Sequence, residues 1–106
     1  MVTISEFKKI VLSFPNSTEV PHFDKTSFRV NKKIFATYDE NNNRTVVKLS
    51  PLDQSVFCSF DKAAMYPVSG TWGRQGWTVI ELDNVKKGML KDALKTAYKN
   101  VSAKQK

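Results

Sequence analysis

Between Leu90 and Val101 the apolar residues Leu90, Leu94, Ala97 and Val101 return to one side of a 3.6-residue helix, flanked by Met89, Ala93 and Tyr98. A helix with one apolar face needs another layer to cover it. The 106 residues give room for one domain. Hydrophobic residues at 41% and charged residues at 25% are those of a globular chain with a core, not of a disordered one. We expect a single domain over residues 1–101 and a fraying basic tail over 102–106.

The N-terminus supplies a second helix. Thr3 and Glu6 have capping-box spacing, Ile4, Phe7, Val11 and Phe14 recur at helical intervals, and Pro15 stops the pattern. Residues 14–26 hold two prolines and several small polar residues and read as a connecting loop. Three β-prone runs follow. Ser27–Val30 and Lys33–Asp39 are joined by a tight Asn31-Lys32 turn, and Arg44–Leu49 comes after a polar Glu40-Asn43 turn. Val47 and Leu49 alternate to one face, Val46 and Lys48 to the other. Ser50, Pro51 and Asp53 open a further helix, whose buried side is expected to carry Leu52, Val56, Phe57 and Phe60. Met65–Val68 suggests a short strand. Trp77–Leu82 is a clear strand, with Trp77 as its first core residue.

The charge is uneven. The net formal charge is +7, yet residues 86–106 carry seven lysines against Asp92 alone, so most of the excess belongs to the last helix and tail. Lys87, Lys91, Lys95 and Lys99 repeat every four residues. Like charges at that spacing repel by a few tenths of a kcal/mol per pair, about 0.2–0.5. The ladder is either a solvated face or a stripe that follows phosphates. A basic balance of this size favours acidic partners.

Catalytic chemistry finds little to build on. Walker-type loops, nucleophile elbows and Gly-rich dinucleotide turns are absent from the sequence. The single Cys58 sits among apolar residues and reads as an inert thiol, which also excludes an intramolecular disulfide. His22, two residues from Asp24, is the one candidate base. One histidine and no suitable carboxylate cluster make a metal site unsupported, so no metal and no cofactor is expected. The N-terminus lacks the apolar run of a signal peptide, and no stretch is long enough to cross a membrane. A cytoplasmic, non-enzymatic protein is the expectation.

Binding has better material. Trp72-Gly-Arg-Gln-Gly-Trp77 combines flat apolar rings with the donors Arg74 and Gln75, and its glycines permit close approach. Lys32 and Lys33 lie at one hairpin tip and Arg44 beside another, where basic side chains can meet backbone phosphates.

The order Phe14-Pro-x-x-x-Glu19, Phe28-x-Val30, Lys33-Ile-Phe35-Ala, Val47-Lys48-Leu, Gly76-Trp77-Thr-Val and Ala97-Tyr98 resembles the MmcQ/YjbR family over about Ile4 to Val101. The resemblance implies an α+β fold of two layers, an antiparallel sheet against helices in the order α-β-β-β-α-β-β-α, similar to secretion chaperones. It also implies DNA binding through a double-wing arrangement. By position it marks Lys33, Lys48 and Trp77. Where the family often follows a basic residue with a second basic residue or histidine, this chain has Arg74-Gln75 and keeps one charge.

The expected site is therefore a nucleic-acid surface, DNA first, made of Lys32, Lys33, Arg44, Lys48, Trp72, Arg74 and Gln75. Lys87, Lys91, Lys95 and Lys99 form a secondary basic face. The rival expectation is a module that binds a protein, peptide or small ligand on the sheet face, with the basic helix merely solvated. Monomer and homodimer both stay open.

Overall fold

The computed structural model describes residues 2–22 and 25–103. Helix α1 covers Ile4–Val11, and its start is fixed as the sequence requires: the Thr3 hydroxyl accepts from the Glu6 N–H at 3.2 Å, and the Glu6 carboxylate accepts from the Thr3 N–H at 3.0 Å. The Thr3 N–H, and the Thr3 hydroxyl donating at 3.1 Å, hold the Glu6 carboxyl below its ordinary pKa.

Among the described residues six strands form one antiparallel sheet: β1 Thr18–His22, β2 Lys25–Val30, β3 Lys33–Asp39, β4 Arg44–Lys48, β5 Met65–Pro67 and β6 Trp77–Glu81, in the spatial order β1-β2-β3-β4-β6-β5. Helix α2 is Pro51–Phe60, α3 is the single turn Thr71–Arg74, and α4 is Lys87–Ala103. The architecture is the expected α+β sheet with helices, with two elements added to the expected order. Strand β1 falls inside the segment read as loop. It is an edge strand carrying Pro21, a position where a missing N–H breaks no ladder bond, and it has too few apolar residues to alternate visibly. The single turn α3 is too short to leave a periodic signal. Helix α4 also runs past the expected domain end at Val101, to Ala103. The expected tail residues 104–106 and the pairing of His22 with Asp24 lie outside the described residues.

Pairing runs Phe28↔Ala36↔Val47↔Thr78, so these residues share one face. The register then jumps from Phe28↔Ala36 to Arg29↔Ile34, leaving Phe35 as the extra residue of a β-bulge. That is why both Phe35 and Ala36 are buried where strict alternation would expose one of them. Helix α4 packs on β2, β3 and β4 and touches α1. Leu90, Ala93, Leu94, Ala97 and Val101 are buried against Phe7, Phe28, Phe35, Val47 and Ile80, as the periodicity predicts.

Helix α2 reaches the same core through Phe57 and Cys58 and buries Gln54. Its expected buried side is therefore corrected: Leu52 is 75%, Val56 49% and Phe60 67% exposed. Positions 54, 57 and 58 make the inward arc, and 52, 56 and 60 lie on the far side at 100° per residue. The sheet face away from the helices carries the row Thr37↔Val46↔Val79↔Tyr66, with Lys48 opposite Trp77.

Candidate nucleic-acid interface

At one end of the open face, β4 and β6 are tied by Lys48↔Trp77 pairing and by the Leu49 N–H donating to the Gly76 carbonyl at 3.0 Å. Gly76 has φ +107°, and a Cβ there would lie 1.7 Å from the Leu49 oxygen, so only glycine fits. Gly73 is as restricted, with Val68 oxygen 1.8 Å from a Cβ position. The buried Gln54 amide donates to the Gly73 carbonyl at 2.8 Å and to the Trp77 carbonyl at 3.1 Å. Residues 70–77 are thus a locked segment, and what it presents outward is Trp72, Arg74 and Gln75, all exposed.

Lys48 joins that segment. Its ammonium donates to the Gln75 carbonyl and lies 5.9 Å from the centroid of the Trp77 ring. Trp77 is half-buried on the open face and packs edge-on against Trp72, with centroids 6.1 Å apart at 68°. This corrects the expectation of a core tryptophan: Thr78, Ile80 and Leu82 fill the core instead.

The turn between β2 and β3 has Asn31 at φ 52° and Lys32 at φ 70°, both in the left-handed region that a primed hairpin turn needs. Because β3 runs antiparallel to β4 with Ala36 opposite Val47, the exposed Lys32 and Lys33 fall at the same end of the sheet as Lys48, with Lys33, opposite the core residue Val30, on the helix side of that end. The segments 30–38, 45–50 and 67–78 that meet there contain Lys32, Lys33, Lys48 and Arg74, and Asp53 borders them, its carboxylate accepting from the Ser50 hydroxyl at 3.0 Å.

Arg44 is not brought in. It starts β4, four residues and about 13 Å along the strand from Lys48. There its guanidinium pairs with the Glu81 carboxylate at 3.1 Å, which also accepts from the Tyr66 hydroxyl. The lysine ladder is also separate. It rides on α4, in the layer covering the opposite face; Lys87 pairs with Glu6 at 3.4 Å, while Lys91, Lys95 and Lys99 are exposed and make no ion pair among the described residues. One ligand on the open face therefore cannot lie along the ladder.

Sequence reasoning missed two parts of the site. Gln54 was hidden because its two partners are carbonyls 19 and 23 residues away, although its place on one arc with Phe57 and Cys58 was a usable signal. The second is a groove of about 300 Å³ on the open face. Ile34, Thr37 and Val46 form its floor, Val68, Trp72 and Trp77 its wall, and Lys25 reaches its rim.

Groups suited to other chemistry are few. Burial raises the Cys58 thiol above its ordinary pKa, which keeps it protonated. Among the described residues no three His, Cys, Asp or Glu side chains are grouped to hold a metal, and no helix is long and apolar enough to cross a membrane.

No curated protein matches the chain. Among solved structures, it is similar to the crystal structure of the Deinococcus radiodurans protein DR2400, which carries the DUF419 domain. The TM-score is 0.84 at 20% identity, over 98% of this chain and 81% of that one, so the two share a fold. The family model for YjbR matches residues 12–100, from the end of α1 to the last turns of α4. That span takes in the whole sheet and the locked 70–77 segment, and the chain belongs to the YjbR family.

Proposed function

We propose that this protein is a non-enzymatic nucleic-acid-binding protein, DNA being the first candidate, acting in the cytoplasm through the basic end of its sheet. The observation that carries the reading is the gathering of Lys32, Lys33, Lys48 and Arg74 from three separated segments at one end of the sheet, where Asp53 is the bordering carboxylate. Phosphates are then met by a rigid set of cations held on strand ends and on the locked segment. Gln75 would read a base edge, since an amide both donates and accepts. Arg44 has no part in this surface, because its charge is already matched by Glu81.

The test is the salt dependence of binding to a labelled DNA. With Z phosphates contacted, log K falls against log salt with a slope of about −0.9Z on duplex. Neutralising Lys33, Lys48 and Arg74 together should cut both affinity and slope. An unchanged slope in that variant, with a slope lost when Lys91, Lys95 and Lys99 are replaced, assigns the attraction to the helix α4 face and overturns this site.

A second reading has one observation in its favour: the open-face groove is mainly apolar. In that reading the chain is a module for a protein or small ligand, with Trp72 and Trp77 as its anchors. It requires no salt-dependent affinity for nucleic acid at all.

A further inference from the structure

Phosphate contacts leave the two tryptophans unexplained. Trp72 is 62% exposed on a backbone that Gln54, Gly73 and Gly76 hold in place. A large ring kept in water on a rigid segment is unfavourable unless something covers it. Beside it lies the groove floored by Ile34 and Val46.

We infer that this groove takes one unpaired nucleobase of a single strand, a role that rests on the nucleic-acid reading above. Its volume of about 300 Å³ is at the small end for ligand pockets and has room for a planar ring. The indoles stand at 68° to each other, so a ring lying on one of them turns its edge towards the other. Both contacts are geometries that π-systems favour. Cations flank the groove on both sides: Lys48 beside Trp77 at one end, and Lys25 on the far rim, near Asp39. The phosphates on either side of a seated base would meet positive charge in both directions. A duplex offers no such base, because its ring faces are stacked. The open face therefore favours single strands over duplex, by the combination of a stacking platform and a positive track.

The experiment compares three labelled probes at about 50 mM salt: a short thymidine single strand, a duplex of the same length, and a single strand of the same charge with abasic sites. Wild-type protein should bind the thymidine strand most tightly. Trp72→Ala should weaken that binding about 5- to 150-fold, the range for one lost base stack, and weaken duplex binding far less. The abasic strand should bind wild-type protein as weakly as the thymidine strand binds Trp72→Ala. Because Trp72 is exposed, the variant keeps its fold. If the abasic strand binds as tightly as thymidine, or Trp72→Ala changes nothing, the base-binding groove is wrong while nucleic-acid binding stands. If no probe binds, both readings fall together.

Discussion

Gln54 is the residue on which the shape of the proposed surface depends, and its replacement has a calculable cost. Its amide donates twice, to the Gly73 carbonyl at 2.8 Å and to the Trp77 carbonyl at 3.1 Å. Each of those carbonyls also accepts a backbone N–H, from Gly76 and Val68 respectively, both at 3.0 Å. Removing the amide therefore leaves neither oxygen wholly unpaired. Gln54→Met, which keeps length and volume, should lose about 1 kcal/mol per bond, or about 2 kcal/mol in all, and not the larger penalty of an orphaned carbonyl. Gln54→Glu is a harsher change of equal size. A carboxylate would face two carbonyl oxygens with no proton to give, so we expect at least about 3 kcal/mol at neutral pH. Its carboxyl would be held above the ordinary range. The sign follows: the variant is least impaired below the usual glutamate pKa and loses stability as pH rises through the raised value. Urea unfolding measures both. With a slope of about 1–3 kcal/mol per molar, Gln54→Met should move the midpoint down by about 1 M, and Gln54→Glu further, with the gap between them widening from acid to neutral pH. A Gln54→Glu protein as stable as Gln54→Met at neutral pH would refute the reasoning, since it would mean that the amide donates to nothing there.

Three further outcomes follow from the same structure. Gly76→Ala should cost about 3 kcal/mol, from a forced left-handed residue and a lost bond to Leu49, whereas Gly88→Ala, where a Cβ meets nothing, should stabilise by about 0.5–1 kcal/mol; chemical denaturation of the two variants checks the contrast. Phe60→Ser and Val56→Ser should each change stability by about 0.5 kcal/mol or less, while Leu94→Ala, fully buried, should cost about 2–5 kcal/mol; comparable losses at all three sites would put α2 the other way round. Tyr66 titrates above its ordinary value of about 10, first because it donates to Glu81 and then through burial. Its contribution is present below the unfolded value and fades as pH rises through the folded one. Tyr66→Phe should therefore cost under about 1 kcal/mol at pH 8 and progressively less in alkali, read from urea midpoints across that range.

The readability of the sequence varied with the range of the interactions involved. Helix α4 was plain because its signal is local: four apolar residues on one face and polar residues elsewhere. The capping box at Thr3 and the Asn31-Lys32 turn were legible for the same reason, since backbone geometry within four residues dictates them. Strand β1 was not legible, because an edge strand takes its order from β2 and tolerates Pro21. Helix α2 misled because the apolar residues Leu52, Val56 and Phe60 look like a core stripe, while the inward arc is chosen by distant carbonyls that only Gln54 can satisfy. The candidate site divides in the same way. Trp72, Arg74 and Gln75 stand out by residue type, but their convergence with Lys33 and Lys48 is a property of strand register, and so is the loss of Arg44 to Glu81.

The central claim concerns where nucleic acid touches this molecule, and amide chemical-shift mapping of the isotope-labelled protein with a short oligonucleotide tests it most directly. The account predicts that the perturbed amides cluster in residues 31–37, 46–49 and 70–77, with the indole N–H signals of Trp72 and Trp77 moving as well and α4 between Lys87 and Lys99 quiet. Shifts confined to α4, with the open face unmoved, would contradict it.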